Sequence, residues 1–510
     1  MRPDEMGSVA GILAEAGWKS HLAMTGDERR AVSRSRAELM KLAGRQPVYG
    51  VTQGFGPLAD HAADPDPSAH GTGLIHHLTA GQGLPLPPAV TRLMVWLRLR
   101  GMLRGHSGIA PEIWVQLAGQ WNAGFTPVVP QDGSLSASGD LVPLAHAAQA
   151  AAGSGHAWIR SDDRWSEEPA SDVLRGRGLD AVRWEARSAL AFVNGTSAAL
   201  ARALINHVRL EALAAAAAAA TGRLAMLLGS DAAPFSDELA DVRRHPGHKK
   251  AAGMIRAART QPVSGIAAGT TPRPFQESYS LRCAPQVIGA VLDQLRLQES
   301  VLVTEAAGCT DNPVLVNGRL YHGGNFHAVP VALASEQHAV CTHQLAYLME
   351  RQLALALDPR RNGGLPPLLA SAPGRTAGLA GVQIAATSHL GMLRQRAYPA
   401  SCTPVPTNLD NQDHVPMALN GANAVADMID RAWWITASAV HALTQMRRLR
   451  PAGNAVNADE AADSGLWAEL AEETPDLTTD HPMALAVASL ASRLERAFTP
   501  EGLEPHGWVS

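Results

Sequence analysis

The stretch LEALAAAAAAATGRLAMLL, residues 210–228, decides the fold class of this chain. Alanine and leucine have high helix propensities, and small side chains let neighbouring helices approach closely. A low-complexity linker is the alternative interpretation of the alanine run. Leucine and methionine continue on both sides of that run at helical spacing, which favours a long helix over residues 198–228.

Three further tracts have helical periodicity, at residues 285–307, 330–356 and 426–449. Near the amino terminus, Thr25 and Glu28 have the spacing of a capping box. Aromatic residues are only 5% of the chain, which is typical of closely packed helices rather than of a β-sandwich. The sequence therefore predicts an all-α fold with a long central antiparallel helix bundle.

Polar or Pro/Gly-rich segments interrupt the helical tracts, and we predict surface loops at these places. A small hairpin is predicted close to residues 318–324. The predicted surface loops cover residues 64–73, 161–172, 243–250 and 362–367.

The 510-residue chain has a nearly balanced charge, with 43 Lys plus Arg against 47 Asp plus Glu, or −4 at pH 7. Charged residues are only 18% of the chain, so we expect neither a disordered protein nor a nucleic-acid partner. No apolar run reaches the roughly 18 to 20 residues of a membrane helix, and the amino terminus lacks a signal-peptide core. We expect a soluble, cytoplasmic protein with no membrane partner.

The cysteines predict neither a zinc site nor a dithiol redox centre, because no two of them form a CxxC pair. We expect free, mostly buried thiols and no metal site. The four cysteines are Cys283, Cys309, Cys341 and Cys402.

The most informative segment is GSLSASGDLVPLAHAAQA, residues 133–150, in which three small residues precede Asp140 and a helix-like run. Taken alone, this segment reads as a loop that caps a helix. Six other blocks of sequence change that interpretation. They are YGVTQGFGPLA (49–59), LIHHLTAG (74–81), FVNGTSAAL (192–200), FQESYSLRCAPQVIGA (275–290), TDNP with GGNFHAVPVA (310–332) and NLDNQDHVPM (408–417).

Together these blocks resemble, in order, the histidine, phenylalanine and tyrosine ammonia-lyase family with its 2,3-aminomutase relatives. The resemblance spans residues 25–449 and implies the all-α fold of that family. It also implies a homotetramer whose active sites are each assembled from three subunits. We divide the chain into residues 1–197, a lobe with the lid loop and the prosthetic-group loop, and 198–510, the bundle and carboxy-terminal helices.

The resemblance implies that Ala137, Ser138 and Gly139 cyclise without another enzyme into 4-methylidene-imidazole-5-one, with no metal or external cofactor. The amide nitrogen of Gly139 attacks the carbonyl carbon of Ala137, a bend that glycine allows and a Cβ would oppose. Loss of two waters leaves an electrophilic carbon to which a substrate amine adds. Asn194 falls on the family position that hydrogen-bonds the ring carbonyl.

Tyr49 matches the catalytic base of the family, on a mobile lid. A phenolate is needed for that role, so the pKa of Tyr49 must be lowered, and the resemblance implies helix N-termini pointing at the site. Arg282 matches the arginine that binds the substrate carboxylate through its planar guanidinium. Without the family blocks, Tyr49 would read as a turn or packing residue and Arg282 as a helix-surface arginine.

Four further residues match positions that surround the prosthetic ring and the amine or carboxylate of the substrate. Tyr279 is a second acid/base or proton-relay candidate among them. These four residues are Gln276, Tyr279, Asn312 and Phe326.

Substrate choice is predicted from His77 and Leu78, because tyrosine lyases of the family carry His-Leu here and phenylalanine lyases carry Phe-Leu. A histidine can hydrogen-bond the para-hydroxyl of tyrosine. Gln412 stands where histidine lyases carry glutamate, and Asn408 also resembles tyrosine lyases. A core histidine is the alternative interpretation of His77.

We therefore predict an aromatic amino acid substrate and a carbon–nitrogen lyase, first an L-tyrosine ammonia-lyase that makes trans-p-coumarate. Tyrosine 2,3-aminomutase and a phenylalanine or broad aromatic ammonia-lyase are alternatives, followed by histidine ammonia-lyase and a non-catalytic ligand-binding homologue. Thr52 and Gln53 in the lid depart from the usual family residues. The chain also lacks the long insertions of plant and fungal lyases, which favours a bacterial-type enzyme.

Overall fold

The computed structural model describes residues 7–162, 164–259, 274–402, 405–450, 465–500 and 503. Helices dominate these residues, so the all-α prediction is confirmed. The helices are α1 Val9–Glu15, α2 Gly26–Ala43, α3 Pro67–Leu78, α4 Pro88–Met102, α5 Pro111–Asn122, α6 Leu141–Ala151, α7 Ala170–Gly176, α8 Ala186–Val193, α9 Ser197–Leu228, α10 Asp237–Arg243, α11 Pro246–Arg259, α12 Tyr279–Arg282, α13 Ala284–Ala307, α14 Val329–Leu357, α15 Ala380–Arg396, α16 Ala418–Leu449, α17 Leu466–Glu473 and α18 Ala484–Phe498.

Short β-strands accompany the helices in the described residues. They form a two-stranded sheet β1–β3, a three-stranded sheet β2–β4–β5 and a hairpin β6–β7, all antiparallel. The strands are β1 Gln82–Pro85, β2 Thr126–Pro127, β3 Pro130–Asp132, β4 His156–Ser161, β5 Arg164–Pro169, β6 Val314–Val316 and β7 Arg319–Tyr321.

The central bundle consists of α9, α13, α14, α15 and α16, which pack along one another. Helices α9, α14 and α16 all start beside the loop that precedes α6, because Ala199, Ala328 and Met417 each bond to residues of that loop. Helices α13 and α15 run in the opposite direction, towards that loop. Each helix of the bundle is therefore antiparallel to the bundle helix that precedes it in the chain. The predicted central antiparallel bundle is confirmed.

Helix α9 forms the middle of the bundle, and most of its residues are buried. A helix that is apolar on nearly every face is stable only when other helices cover it, which α14 and α16 do along much of its length. Gly229 ends the helix in the left-handed conformation, with φ of 66°. The linker interpretation of the alanine run is therefore wrong.

The local helix signals were correct in type and shifted at their boundaries. The Thr25–Glu28 capping box is present, with the Glu28 amide donating to the Thr25 hydroxyl over 3.2 Å. The tract predicted at 426–449 begins earlier, at Ala418. The hairpin predicted near residues 318–324 pairs Val314–Val316 with Arg319–Tyr321, so it lies slightly earlier than predicted.

Three of the predicted surface loops contain regular structure. Pro67 and Pro246 stand at the first position of α3 and α11, where a proline starts a helix instead of interrupting it. The charged segment RWSEEP forms β5, the edge strand of its sheet, and most of its side chains remain exposed. In these segments the prolines therefore mark the starts of helices, and the charged residues mark an edge strand, instead of loops.

Most buried apolar side chains fall into two large clusters. One joins α4, α5, α6 and α8 to the first half of α9, and the other covers the remainder of α9 and the long bundle helices. The change from one cluster to the other occurs between Val208 and Leu210. The division of the chain at residues 197 and 198 stays a prediction.

One segment of the described residues, Ala186–Leu228, is long and apolar enough to cross a membrane by length and composition alone. In this structure 78% of its most apolar window is buried inside the protein, which is typical of a core helix. Residues 1–6 of the amino terminus lie outside the described part of the chain. The four cysteines are free, and Cys341 is buried while Cys402 is exposed.

Gly222 lies where α9 meets α11, and a Cβ added there would stand 2.5 Å from the carbonyl oxygen of Ile255. We expect Gly222→Ala to lower the free energy of unfolding by about 1 to 3 kcal/mol, because the two backbones would have to separate. Urea unfolding followed by circular dichroism measures this. Gly253→Ala on α11 is the control, since the added Cβ would meet only the flexible tip of Arg256, at 3.9 Å, among the described residues. An equal loss in both variants would contradict the packing explanation.

Candidate active site

The loop from Gly133 to Asp140 is held by one buried carboxylate. Asp140 is 0% exposed, and its Oδ1 accepts hydrogen bonds from Ser134 (2.9 Å) and Ser136 (2.7 Å). Its Oδ2 accepts from the amide of Ala199, in the first turn of α9, over 2.8 Å. Burial raises the pKa of Asp140, while these hydrogen bonds act in the opposite direction. The carboxyl group thus fastens the loop to α9.

Four helices begin at this loop. Helix α6 follows Asp140 directly, and α9 donates an amide to it. From the start of α14, Ala328 donates to the Ser136 carbonyl over 3.2 Å, and from the start of α16, Met417 donates to the Leu135 carbonyl over 3.0 Å. Because each N-terminus has a partial positive charge, the loop lies in a region of positive potential. The predicted arrangement of helix N-termini is present.

Ala137 is buried and Ser138 is half-buried, and Gly139 has φ of 72°. A Cβ at Gly139 would stand 2.6 Å from backbone atoms of Gly195, so only glycine fits there. The amide nitrogen of Asn194 donates to the carbonyl oxygen of Ser138 over 2.8 Å. The side-chain oxygen of Asn194 is buried and has no partner among the described residues. Asn194 therefore faces the tripeptide.

Gln412 also contacts the tripeptide, because its Nε2 donates to the Ser138 hydroxyl over 2.9 Å. Gln412 pairs with Thr407 through two backbone hydrogen bonds, which close a tight turn. Asn408 lies in that turn, exposed, with φ of 55°. Both residues therefore belong to one loop, and Gln412 alone reaches Ser138.

Asn312 lies on a segment that is held in place by buried charged side chains. Arg187 pairs with Asp311 over 2.6 Å and donates to the carbonyl oxygen of Asn312 over 3.3 Å. Arg98 binds both the Ala191 carbonyl and the Thr310 carbonyl, so it joins α8 to the same segment. The side-chain oxygen of Asn312 accepts from the amide of Gly323 over 2.8 Å.

Phe326 is half-buried and stands two residues before Ala328, which contacts the tripeptide loop. Its neighbour His327 lies close to His414 of the Asn408–Met417 segment, with 3.3 Å between ring nitrogens. Neither this histidine pair nor the anchoring roles of Ser134, Ser136 and Arg98 were predicted from the sequence. The only sequence signal for the two histidines is that they lie inside two of the blocks that resemble the family.

The lid is the segment that follows Tyr49. The Tyr49 hydroxyl accepts a hydrogen bond from the amide of Gly56 over 2.8 Å, and its amide approaches His322 at 3.5 Å. Gly50 has φ of 66° and no room for a side chain beside Leu190. Burial raises the pKa of Tyr49, although the Gly56 hydrogen bond acts against that effect. Among the residues that the structure describes, the groups around Tyr49 therefore do not provide the predicted lowering of this pKa.

His77 lies on α3, exposed, and its Nδ1 is 3.1 Å from the carbonyl oxygen of Gly73. It lines a cavity of about 440 Å³ between α3 and the lid, together with Phe55 and His70. Leu78 is half-buried and packs against the first apolar cluster. Both His76 and His77 are exposed, so the core-histidine interpretation is wrong.

Gln276, Tyr279 and Arg282 lie at the opposite end of the bundle. Tyr279 is 72% exposed and lines a cavity of about 600 Å³ with Tyr347 of α14. Arg282 is half-buried on the single turn α12, 4.9 Å from the Tyr279 ring, and Gln276 is exposed. From Ala328 to Tyr347, α14 spans about 28 Å at roughly 1.5 Å per residue. One chain therefore does not bring these three residues to Ser138.

Comparison with known proteins identifies the family of this chain. A family model described as aromatic amino acid lyase matches residues 7–469. A tyrosine ammonia-lyase from Cereibacter sphaeroides is 37% identical over 502 residues, which cover 95% of each protein. A tyrosine aminomutase structure from Streptomyces globisporus has a TM-score of 0.85 at 29% identity, covering 96% of each chain.

A histidine ammonia-lyase structure from Trypanosoma cruzi has a TM-score of 0.83 at 24% identity, covering 99% of this chain and 94% of that one, and supports the fold alone. The roles assigned to individual site residues stay predictions. The family and its fold, predicted from seven blocks of sequence, are confirmed. With a family model over most of its length and a near full-length relative, the chain belongs to the aromatic amino acid lyases, which are carbon–nitrogen lyases.

Proposed function

We propose that this protein is an L-tyrosine ammonia-lyase, which converts L-tyrosine into trans-p-coumarate and ammonia. The observation that carries the proposal is that two side chains bind Ser138. Asn194 donates to its carbonyl oxygen over 2.8 Å, and Gln412 donates to its hydroxyl over 2.9 Å. This pair lies where four helices begin, in a region suited to stabilising negative charge. The 37% identical relative is a tyrosine ammonia-lyase, which supports the same reaction.

Ala137, Ser138 and Gly139 fit the methylidene-imidazolone prosthetic group. Gly139 already has positive φ, and its contact with Gly195 leaves no space for a side chain. The unpartnered buried oxygen of Asn194 is a free acceptor beside the tripeptide. Once formed, this group supplies an electrophilic carbon for the substrate amine, which ordinary side chains do not offer.

The surrounding residues have separate tasks in the proposed reaction. Asn194 directs its amide hydrogens at the Ser138 carbonyl oxygen and stabilises negative charge there. Tyr49 removes the β-proton of the substrate, for which its hydroxyl must first lose a proton. Because burial within one chain raises the pKa of Tyr49, we propose that the lowering comes from neighbouring copies and from the helix N-termini.

We propose that copies of this chain form a homotetramer with shared active sites. Arg282, Tyr279 and Gln276 lie too far from Ser138 to act on the same substrate molecule within one chain. Helix α14 also exposes Leu333 (54%), Val340 (48%) and Tyr347 (41%), spaced seven residues apart. Apolar residues at this spacing form a stripe along a helix, which is typical of contact with another helix. Another copy would cover this stripe and supply Arg282.

Selectivity for tyrosine is proposed to depend on His77. Its ring lines the cavity under the lid, and its Nε2 has no hydrogen-bond partner among the described residues. Such a nitrogen can pair with the para-hydroxyl of tyrosine. When bound substrate and the closed lid exclude water from it, phenylalanine would leave it unpaired at a cost of about 1 to 3 kcal/mol. We also propose a cytoplasmic location, consistent with four free cysteines.

A tyrosine 2,3-aminomutase is the second candidate, because a tyrosine aminomutase structure superposes on 96% of the chain with a TM-score of 0.85. An aminomutase would retain the ammonia and return it to the β-carbon. The two enzymes share the site that removes the amine. Their products therefore decide between them.

Incubation with L-tyrosine should release coumarate and ammonium in equal amounts, measured by absorbance and by an ammonium assay. The wild-type protein should also be lighter than its sequence by two water molecules in intact-protein mass spectrometry. Ser138→Ala should keep the full sequence mass and lose at least about 1,000-fold in kcat/KM, because the electrophile cannot form. β-Tyrosine as the main product would replace the lyase with the aminomutase, and an unmodified wild-type mass would exclude both.

His77→Phe should shift the ratio of kcat/KM for tyrosine over phenylalanine by about 5- to 150-fold towards phenylalanine. The shift follows from removing the hydrogen-bond partner of the para-hydroxyl. Steady-state kinetics with both substrates measures it, and His76→Phe, on the neighbouring exposed position, is the control. An unchanged ratio in His77→Phe would remove this residue from substrate selection and leave a broad aromatic ammonia-lyase.

Co-expression of the Ser138→Ala and Arg282→Ala chains should restore activity that neither variant has alone. If each site takes its loop and its arginine from different copies, random mixing restores about one quarter of the wild-type kcat. Co-expression of Arg282→Ala with the Ser138→Ala/Arg282→Ala double variant is the control without recovery. Equal activity in the test and the control would place a complete site within one chain.

A further inference from the structure

Phe55 lies at the centre of the lid. Its ring stacks on the His70 ring, with centroids 4.4 Å apart and 10° between planes. The same ring meets Tyr49 edge-on at 6.4 Å and lies 6.4 Å from His77. Phe55 therefore lies beside both the proposed base and the proposed selectivity residue.

The lid backbone holds Phe55 in a fixed relation to Tyr49. The amide of Gly56, the residue after Phe55, donates to the Tyr49 hydroxyl over 2.8 Å. A Cβ at Gly50 would stand 2.9 Å from the Phe55 ring, so the chain after Tyr49 is packed against that ring. Movement of Phe55 would consequently move the Tyr49 hydroxyl.

His70 connects this unit to α3. It lies seven residues before His77, which is close to two helical turns, so both rings project from the same face about 10 Å apart. The Nε2 of His70 is buried without a partner among the described residues, and burial lowers the pKa of the ring. A hydrogen bond between the ring and the Gln53 backbone acts against that lowering, so His70 contacts the lid through this bond as well as through its flat face on Phe55.

We propose that His70 is a positioning residue, whose stack on Phe55 sets the distance between the lid tyrosine and the helix that carries His77. This inference rests on the proposed function for the roles of Tyr49 and His77. Breaking the stack would release Phe55, and with it the hydroxyl of Tyr49, while the folded core below α3 stays intact. The base would then be misplaced for proton removal, a step in which a shift of about 1 Å costs up to 100-fold in rate.

A metal site is the other role that the histidines around this cavity suggest. His61, Asp64, His70 and His77 all line it. Among the described residues, however, no group of three or more metal-ligating side chains has suitable geometry. The stacked geometry of His70 also turns its ring face, and not a nitrogen, towards Phe55.

The experiment compares His70→Leu, which removes the ring, with His70→Phe, which keeps a flat ring without nitrogens. We expect His70→Leu to lower kcat for tyrosine about three- to tenfold with KM changed less than twofold, and His70→Phe to stay within about twofold of wild type. Phe55→Leu should lower kcat similarly, and the double variant with His70→Leu should lose no more than either single variant. His76→Leu on the same helix is the control, and thermal unfolding checks that each variant is folded.

Limited proteolysis with proteinase K gives a readout that does not depend on activity. Cleavage within residues 50–63 should be about three- to tenfold faster in His70→Leu than in wild type and near wild type in His70→Phe. Wild-type kcat and cleavage rates in His70→Leu, or equal losses in His70→Leu and His70→Phe, would overturn the inference. A wild-type protein that forms no coumarate would refute the proposed function instead, and the cleavage rates would still decide the role of the stack.

Discussion

The buried carboxylate of Asp140 is the interaction on which the rest of this site depends. A carboxylate without partners in a protein interior is destabilising by several kcal/mol, so Asp140 is tolerated only with its full set of donors. Ser134, Ser136 and the amide of Ala199 supply them. These donors come from the loop itself and from α9, which are far apart in sequence. Contacts with α9 therefore stabilise the bent shape of the loop, in which Gly139 lies directly against the backbone of Gly195.

The direction of the bundle helices explains why the loop lies where it does. Helices α9, α14 and α16 begin at one end of the bundle, while α13 and α15 return to it, so the positive ends of several helices meet there. The same geometry places α12 at the far end, because α12 directly precedes α13. A chain that concentrates helix N-termini around Ser138 necessarily sends Arg282 away from it. This separation within one chain is what supports the proposal that copies share their sites.

Structural features that depend on neighbouring residues were predicted from the sequence, whereas features that depend on contacts between distant residues were not. Thr25 and Glu28 determine a helix start by themselves, and the alanine run of α9 has no stable alternative to a buried helix. Pro67 and Pro246 were misread because proline both interrupts and starts helices, and the difference lies in what precedes it. Arg98, Arg187 and Asp311 form their ion pairs across more than one hundred positions of sequence, which no local pattern indicates. The residues on Ser138 were predicted only because they lie inside recognised blocks.

The pKa of Tyr49 depends on the charges around its hydroxyl, and in the proposed tetramer it also depends on the neighbouring copies. Within one chain, packing under the lid buries its hydroxyl and raises its pKa, the reverse of what a base requires. The single hydrogen bond from Gly56 does not reverse that effect. A tyrosine is a poor base when its lid excludes water without adding positive charge, because its pKa stays raised. It is a good base when the lid closes beside a cation and several helix N-termini, which stabilise the phenolate. In the proposed tetramer the arginine that binds the substrate carboxylate arrives from another copy, so the same contact that completes substrate binding also brings the charge that favours the phenolate.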